Sequence, residues 1–356
     1  MNNKIKVLIV DDASFMVKAL REILESDACI EVIGAAKNGQ EALDKIRKLK
    51  PDVVTLDVDM PVMDGISAIR HIMIETPTPI VMLSSLFKHG DITFEALRLG
   101  VVDFLPKPSG AISRDIHQQA SVITDRVKIA ASQRIENVHR VKLTRVGARD
   151  RLVERYGFQE LDCLIAIGTT LGGPNSIIRL LSQLSPQLPA AIVVVQEIAI
   201  NILPEFAARF NDYTTWKIEV GAENTIIEPG TCYLCSYQTP MTVHTNQNNE
   251  PCLQANGNDA KPLNALFTST ADIFEQNTIG ILLTGTGKDG EEGFAAIKRK
   301  LGTTIAQNSK TCVYPNLTQC AIEHGVVDVV TDIDQLCEQI EAAIVNKVSE
   351  SHMLGT

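Results

Sequence analysis

The sequence lacks any long hydrophobic run and any segment of the secretion-signal type. The amino-terminal residues 1–6 have no hydrophobic signal region, and no apolar run approaches the ~20 residues that a membrane-spanning helix needs. The net charge is −10, which argues against a nucleic-acid-binding protein. We therefore expect a cytoplasmic protein that inserts into no membrane and binds no nucleic acid.

Cysteine pairs with metal-site spacing are also scarce. Several of the eight cysteines, such as Cys29 and Cys163, lie within apolar runs, where reduced thiols act as small hydrophobic side chains. Cys232 and Cys235 have Cys-x-x-Cys spacing, but no second pair and no suitable histidine pair accompanies them. A zinc site is one interpretation of this pair, and we favour the other, a strand with two inert thiols.

The length and composition indicate two globular domains. A chain of 356 residues is too long for one ordinary hydrophobic core, and a length of about 150 residues per domain suggests two. Hydrophobic residues make up 45% of the chain and charged residues 21%, so both halves can bury a core.

Five short apolar runs in the first third of the chain predict β-strands, and amphipathic helical patterns separate them. The five runs are Lys6–Val10, Ile30–Ala36, Val53–Asp57, Pro79–Leu83 and Val102–Lys107. Because strands that alternate with helices are joined by right-handed crossovers, the pattern predicts an α/β fold with a doubly wound parallel sheet.

Polar residues follow these predicted strands at their carboxyl ends. Parallel strands end at one edge of a sheet, so Asp11, Asp12, Asp57, Ser84 and Lys107 should lie close together. Three carboxylates can hold Mg²⁺ through oxygen ligands, and Asp57 can attack a phosphoryl group. Ser84 and Lys107 can bind the phosphoryl oxygens. Such a set of residues indicates phosphoryl chemistry.

On these residues, the segment from 1 to about 130 resembles the flavodoxin-like receiver domain of bacterial two-component response regulators. The resemblance implies that a histidine kinase of a chemotaxis-type system phosphorylates Asp57 in the presence of Mg²⁺. It also implies roles by position: the metal ligands Asp11, Asp12 and Asp57, the phosphoryl-sensing residues Ser84 and Lys107, and the switch aromatic residue Phe104.

A basic segment follows the predicted receiver. Residues 126–155 contain nine lysines and arginines against three acidic residues. A solvated, partly helical linker is one interpretation, and a basic arm that docks on an acidic surface is the other. The segment has no aromatic residues for base stacking and no helix-turn-helix pattern after it, so DNA binding is disfavoured.

A second set of apolar runs predicts another α/β sheet in the second half of the chain. The predicted strands are Leu161–Gly168, Ala191–Val195, Ile279–Leu283, Thr303–Gln307 and Val326–Val330, and a final helix is predicted near Asp334–Val345. Three of the strands again end in polar residues, which are Thr170, Glu197 and Asp289. A glycine turn and Pro174 follow Thr170, an arrangement that can present a hydroxyl group at a helix amino terminus.

Three stretches of this half carry a further resemblance, and they are Ile167–Gly173, Leu283–Gly290 and Ala306–Val313. On these residues, this half is similar to the Rossmann-like catalytic domain of the chemotaxis protein-glutamate methylesterases, whose domain order is receiver, linker, esterase. The similarity implies chemoreceptor cytoplasmic helices as partners. It also implies the division into a receiver (1–131), a basic linker (132–160), a methylesterase-like domain (161–346) and a tail (347–356).

Two of the three catalytic positions depart from this family. The family has a nucleophilic serine at the position of Thr170 and a histidine at the position of Glu197, whereas Asp289 is unchanged. A carboxylate is a weak base towards a hydroxyl group, and the threonine methyl group crowds attack on an ester. We therefore expect a non-catalytic binding module. The alternative is an active methylesterase or deamidase whose altered nucleophile is Thr170 or Cys312.

Overall fold

The computed structural model describes most of the chain. The described residues are 4–84, 90–107, 115–133, 135–138, 141–146, 161–257 and 260–354. They fall into two compact units, Met1–Val141 and Lys142–Thr356. Among them, no helix combines the length and the apolar character needed to cross a membrane.

The first unit is a five-stranded parallel sheet flanked by five helices. The strands are β1 (Ile5–Val10), β2 (Ile30–Ala36), β3 (Val53–Leu56), β4 (Ile80–Ser84) and β5 (Asp103–Pro106). The helices are α1 (Ser14–Glu25), α2 (Gly39–Leu49), α3 (Gly65–Glu75), α4 (Gly90–Leu99) and α5 (Asp115–Ala131). The strand order is β2-β1-β3-β4-β5. This architecture confirms the predicted flavodoxin-like sheet.

The apolar strands of this unit are buried because helices cover both faces of the sheet. The last four residues of β1 and all four residues of β3 are buried. Local signals set the helix ends. Asn38 caps α2 by accepting a hydrogen bond from the Glu41 N–H, and Lys50 ends that helix in a left-handed conformation.

The second unit contains a seven-stranded parallel sheet and a separate antiparallel hairpin. The sheet strands are β6 (Cys163–Gly168), β7 (Ala190–Gln196), β8 (Lys217–Val220), β9 (Thr231–Ser236), β12 (Thr278–Leu282), β13 (Thr303–Gln307) and β14 (Val329–Thr331). The hairpin strands are β10 (Met241–Thr245) and β11 (Pro251–Ala255). The sheet order is β14-β13-β12-β6-β7-β9-β8, which confirms the predicted α/β class.

In the described part of this unit, six helices surround the sheet. They are α6 (Gly173–Leu181), α7 (Leu203–Asn211), α8 (Pro262–Phe274), α9 (Glu291–Arg299), α10 (Asn316–Glu323) and α11 (Leu336–Leu354). The last helix extends to Leu354, beyond its predicted end at Val345. Rings of Phe267 on α8 and Phe294 on α9 pack with centroids 4.9 Å apart in the core.

Three strands of this unit, β8, β10 and β11, were not predicted, and none has a long apolar run, whereas β9 is the strand expected around Cys232 and Cys235. β8 is short and mostly half-buried, and the hairpin β10–β11 has exposed carboxyl-terminal residues. Cys232 and Cys235 lie on β9, where three-residue spacing directs their side chains to opposite faces. Both thiols are buried, and burial raises the pKa of Cys235 to about 12. This favours inert thiols over a zinc site.

The predicted linker is only partly described. Residues 147–160 lie outside the described part, as do residues 108–114 before α5. Of the described linker residues, Ile135–Asn137 form a short 3₁₀ helix. The predicted domain limits therefore remain predictions.

One backbone feature of the second unit is unfavourable for its residue. After α9, Leu301 has φ of +62°, the left-handed region that favours glycine. The Leu301 N–H donates to the Lys298 carbonyl, and the Gly302 N–H donates to the Ile297 carbonyl. This pair of bonds is the helix-ending motif in which glycine is the usual left-handed residue.

Leu301→Gly should therefore raise the free energy of unfolding of the second unit by about 1 kcal/mol, because glycine avoids the left-handed penalty of ~1–2 kcal/mol. The leucine side chain is 71% exposed, so its loss removes little buried surface. Urea denaturation followed by the fluorescence of Trp216, the single tryptophan, measures the change. Leu301→Ala, which keeps Cβ, is the control, and a glycine variant no more stable than it would contradict the explanation.

Candidate functional site

The first polar cluster lies where the chain order reverses across the receiver sheet. From β1 the chain passes to β2 on one side and then to β3 on the other. Asp11 directly follows β1, and Asp57 directly follows β3. A crevice forms at the carboxyl ends of strands at such a reversal point, and ligands of open α/β sheets bind there.

Lys107 connects the two buried carboxylates of this cluster. Its Nζ atom lies 2.7 Å from Oδ2 of Asp11 and 2.7 Å from Oδ2 of Asp57. The other carboxylate oxygen of Asp57 accepts a hydrogen bond of 2.7 Å from the Val58 N–H. Asp57 is 4% exposed and Asp11 is 1% exposed. The carboxylate at position 57 is thus held in one orientation.

Burial and charge pairing act in opposite directions on these groups. Burial raises the pKa of Asp57 above its usual value, although its contacts with Lys107 partly offset the rise. Burial alone would lower the pKa of Lys107, but its bonds to Asp11 and Asp57 raise it. A buried charge is tolerated only when it is paired, so the lysine remains positive here.

The acidic residues of the cluster also suit a divalent cation. Carboxylate oxygens of Asp11, Asp12 and Asp57 lie within 4.8 Å of one another. Asp12 is exposed, so the cluster is open to solvent on one side. Oxygen ligands of this kind, with space for water, are those that Mg²⁺ prefers. The residues present therefore fit such an ion.

The predicted phosphoryl-sensing residues lie at the ends of adjacent strands. Ser84 is buried at the end of β4, opposite Pro106 of β5. The Lys107 N–H donates a hydrogen bond of 2.9 Å to the Ser84 carbonyl. Phe104 is half-buried and packs against the core of this unit. Residues 85–89, which follow Ser84, lie outside the described part.

The second polar cluster lies at the corresponding reversal point of the other sheet. Strand β6 is flanked by β7 on one side and by β12 on the other. Thr170, Glu197 and Asp289 come from the segments that follow β6, β7 and β12, respectively. The fold therefore places all three predicted positions at one edge of the sheet.

The Thr170 hydroxyl group is bonded to the backbone of Thr286. Its Oγ1 donates to the Thr286 carbonyl at 3.0 Å and accepts from the Thr286 N–H at 2.7 Å. The side chain is 5% exposed. A Cβ atom at Gly285 would lie 2.5 Å from this oxygen, so the close approach of the two loops requires glycine there. The hydroxyl proton thus points to a carbonyl and not to a base.

Asp289 caps a helix from outside that helix. One carboxylate oxygen accepts hydrogen bonds from the Leu263 N–H at 2.7 Å and the Tyr237 hydroxyl at 3.1 Å. The other accepts from the Asn264 N–H at 3.0 Å. Lys261, the residue preceding α8, makes no side-chain cap. Burial raises the pKa of Asp289, and the Leu263 and Asn264 bonds oppose the rise. Asp289 therefore satisfies the amino terminus of α8.

Sequence reasoning missed two residues that position this aspartate. Tyr237 directly follows β9, the strand that carries Cys232 and Cys235. Asn264 is buried on α8, and its Oδ1 accepts hydrogen bonds from the N–H groups of Gly290 and Gly293. These bonds fix the loop that carries Asp289. A strand-end aromatic residue after β9 was the available signal for Tyr237, and Asn264 offered none.

The described histidines and Cys312 do not supply a replacement base or nucleophile. In the described side chains of the second unit, Nε2 of His244 contacts the Thr242 hydroxyl, and Nδ1 of His324 lies 3.4 Å from Glu291. Cys312 is completely buried, with Sγ 3.4 Å from the Thr318 hydroxyl. The structure therefore argues against Cys312 as an accessible nucleophile.

Removal of the Thr170 hydroxyl should destabilise the second unit. Thr170→Val leaves the Thr286 N–H and carbonyl unpaired, which should lower the free energy of unfolding by about 1–3 kcal/mol. Thr170→Ser keeps the hydroxyl and should lose less. Urea denaturation followed by Trp216 fluorescence compares the variants, because that tryptophan is completely buried in this unit. Equal stability of Thr170→Val and the unmodified protein would show that the bonds are unimportant.

Comparisons with known proteins match both parts of the chain to described families. A family model described as CheB methylesterase matches residues 165–340, and one described as response regulator receiver domain matches residues 7–121. The protein-glutamate methylesterase/protein-glutamine glutaminase of Pyrococcus horikoshii is 34% identical over 354 residues, covering 97% of this chain and 95% of its own. The protein of the same name from Methanococcus maripaludis is 37% identical over 350 residues, covering 93% and 95%.

One similar solved structure covers half of the chain. The CheB methylesterase catalytic domain of Thermotoga maritima is 27% identical, with a TM-score of 0.47, and the match covers 50% of this chain and 96% of that one. The near full-length identity to the Pyrococcus and Methanococcus proteins decides the family. The chain belongs to the protein-glutamate methylesterase/protein-glutamine glutaminase family, with a receiver domain followed by a CheB-type methylesterase domain.

Proposed function

We propose that this chain is a phosphorylation-controlled response regulator of chemotaxis type whose methylesterase-like domain binds chemoreceptor helices without hydrolysing them. The observation that carries the proposal is the state of Thr170. Its hydroxyl is bonded on both sides to the Thr286 backbone, at 2.7 and 3.0 Å, while a glutamate takes the position of the base. A nucleophile of this type needs a base within hydrogen-bonding distance.

The receiver half of the proposal rests on the cluster around Asp57. This carboxylate acts as the phosphoryl acceptor for a histidine kinase partner, and Asp11, Asp12 and Asp57 hold Mg²⁺. The ion supplies positive charge against the phosphoryl oxygens when bound. Lys107, already 2.7 Å from Asp57, neutralises the remaining negative charge of the phosphoryl group.

Ser84 and Phe104 report the phosphorylated state in this proposal. The hydrogen bond from the Lys107 backbone N–H to the Ser84 carbonyl connects the ends of β4 and β5. A displacement of Lys107 therefore also displaces Ser84. Phe104 is only half-buried and can change its packing without exposing the core. A phosphoryl group at Asp57 therefore biases a small number of adjacent side chains.

Acetyl phosphate with Mg²⁺ should label the unmodified protein once, and Asp57→Asn should abolish the label because the amide is not a nucleophile. Lys107→Ala should retain the label but weaken any phosphorylation-dependent response, because the lysine pairs with the phosphoryl group and does not attack. Intact-protein mass spectrometry measures the label. The control is Asp44→Asn, an exposed aspartate on α2. Labelling that persists in Asp57→Asn would contradict the assignment of Asp57 as the phosphoryl acceptor.

The chemistry of the second cluster explains the proposed lack of hydrolysis. Ester or amide hydrolysis needs a group that takes the hydroxyl proton and returns it to the leaving group. Glu197 has a carboxylate side chain. Unlike histidine, it has no ring N–H group that Asp289 could orient. Asp289 is itself engaged by two backbone N–H groups and by Tyr237. Loss of the triad base leaves only positioning and oxyanion binding.

The alternative is an active methylesterase or deamidase that uses Thr170. The relatives with 34–37% identity over nearly the full chain carry the name protein-glutamate methylesterase/protein-glutamine glutaminase, which favours it. In that case the Thr170 hydroxyl would have to break its hydrogen bonds to the Thr286 backbone and form one to a general base. Measurement of ester hydrolysis distinguishes the two functions.

The unmodified protein should release no methanol above background from methylated chemoreceptors. Thr170→Ser alone should not increase methanol release, because a general base is still missing. Glu197→His alone should give at most a trace of methanol. The double variant restores both residue types beside Asp289 and should show measurable methanol release. The double variant carrying Asp289→Asn controls for the third position. Turnover by the unmodified protein that is lost in Thr170→Val would establish the alternative.

A further inference from the structure

The second unit carries a mixed cluster of a carboxylate, a thiol and an imidazole that the proposed function does not use. Glu291 is the first residue of α9, while Cys320 lies on α10 and His324 caps the end of that helix. Cys320 and His324 are four residues apart, so their side chains lie on one helix face. Glu291 and Cys320 are half-buried, and His324 is exposed.

The three ligand atoms form a compact triangle. Sγ of Cys320 lies 3.6 Å from Oε2 of Glu291 and 3.8 Å from Nδ1 of His324. The third side, from Nδ1 of His324 to Oε2 of Glu291, is 3.4 Å. A tetrahedral zinc ion with its usual bond lengths separates sulfur from nitrogen or oxygen by roughly 3.6 Å, and nitrogen from oxygen by roughly 3.3 Å. The observed sides match one face of such a tetrahedron.

The backbone fixes the two elements that carry these ligands. The Gly285 N–H donates to the Tyr314 carbonyl at 2.9 Å, and the Leu317 N–H donates to the Gly285 carbonyl at 3.0 Å. These bonds join the start of α10 to the loop that leads into α9. Asn264 holds the other end of that loop at Gly290 and Gly293. A site built from both helices therefore needs little rearrangement of the backbone on binding.

Hydrogen bonds within the cluster hold the same three side chains together when no metal is bound. Nδ1 of His324 also lies 2.8 Å from the Cys320 carbonyl, so without a metal it donates a proton there. The thiol can donate to Glu291 in the same state. A metal would replace both protons, as metal binding to cysteine and histidine does generally, and Nε2 would then carry the imidazole proton. The His324 ring would also turn Nδ1 from the Cys320 carbonyl towards the ion, because a deprotonated nitrogen cannot donate to that carbonyl. The exposed position of His324 gives an ion access.

We propose that Glu291, Cys320 and His324 form a binding site for a divalent transition-metal ion of the zinc type, with a fourth position open to water. One thiolate, one imidazole and one carboxylate are the ligand types that zinc takes in proteins. The receiver cluster, which offers only carboxylate oxygens, suits Mg²⁺ instead. The chain thus carries two chemically distinct cation sites, and the zinc-type site does not depend on the proposed function.

Cobalt(II) is the probe for this site, used on the full-length protein with Mg²⁺ in excess to occupy the receiver cluster. Binding should show a one-to-one stoichiometry, a thiolate-to-cobalt charge-transfer band and the strong visible bands of tetrahedral cobalt. Cys320→Ser should remove the charge-transfer band. His324→Gln and Glu291→Gln should weaken binding by more than about tenfold, since losing even an outer partner of a metal site costs ~10- to 100-fold.

Cys337→Ser and His244→Gln are matched controls on other elements of the same unit, and both should bind cobalt as the unmodified protein does. Zn²⁺ should also raise the urea midpoint reported by Trp216 in the unmodified protein but not in Cys320→Ser. This second measurement distinguishes a lost ligand from a misfolded variant. A charge-transfer band that is absent from the unmodified protein, or that persists in Cys320→Ser, would overturn the proposal.

Discussion

The carboxyl ends of parallel strands lie at the same edge of a sheet, and both halves of this protein depend on that constraint. In each sheet the chain order reverses at a central strand, β1 in the first and β6 in the second. The reversal opens a crevice at the strand ends. Asp11 and Asp57 meet at the first crevice, and Thr170 meets the loop after β12 at the second. Residues 116 positions apart thereby come within hydrogen-bonding distance.

The two crevices treat their polar groups differently. At the first, Lys107 pairs with buried carboxylates and leaves an acidic cluster open to solvent, a state suited to receiving a phosphoryl group and a cation. At the second, the polar groups are already satisfied by protein. The Thr170 hydroxyl is hydrogen-bonded to the Thr286 backbone, and the Asp289 carboxylate accepts hydrogen bonds from the amino terminus of α8. A satisfied hydroxyl contributes to stability, whereas a catalytic one needs a base.

The fold class and the receiver cluster could be predicted from sequence because strand runs such as Val53–Leu56 are continuous and their polar ends are unambiguous. Short, half-buried strands such as Lys217–Val220 carry no such pattern and were missed. The contacts of Thr170 and Asp289 could not be predicted from sequence. Thr170 bonds to the backbone of Thr286, and Asp289 is positioned by Tyr237 and Asn264, and these contacts join segments far apart in the chain.

The metal site could not be predicted from sequence either. Cys320 and His324 become a candidate site only because the fold places Glu291 of α9 beside them.

We propose that the Thr170 hydroxyl is not an activated nucleophile. Reaction with a fluorophosphonate, a reagent that labels activated serine and threonine hydroxyls, tests this directly when followed by intact-protein mass spectrometry. We expect no adduct on the unmodified protein and an adduct on the variant that carries both Thr170→Ser and Glu197→His. An adduct on Thr170 of the unmodified protein, located by peptide mapping, would show that this hydroxyl is activated.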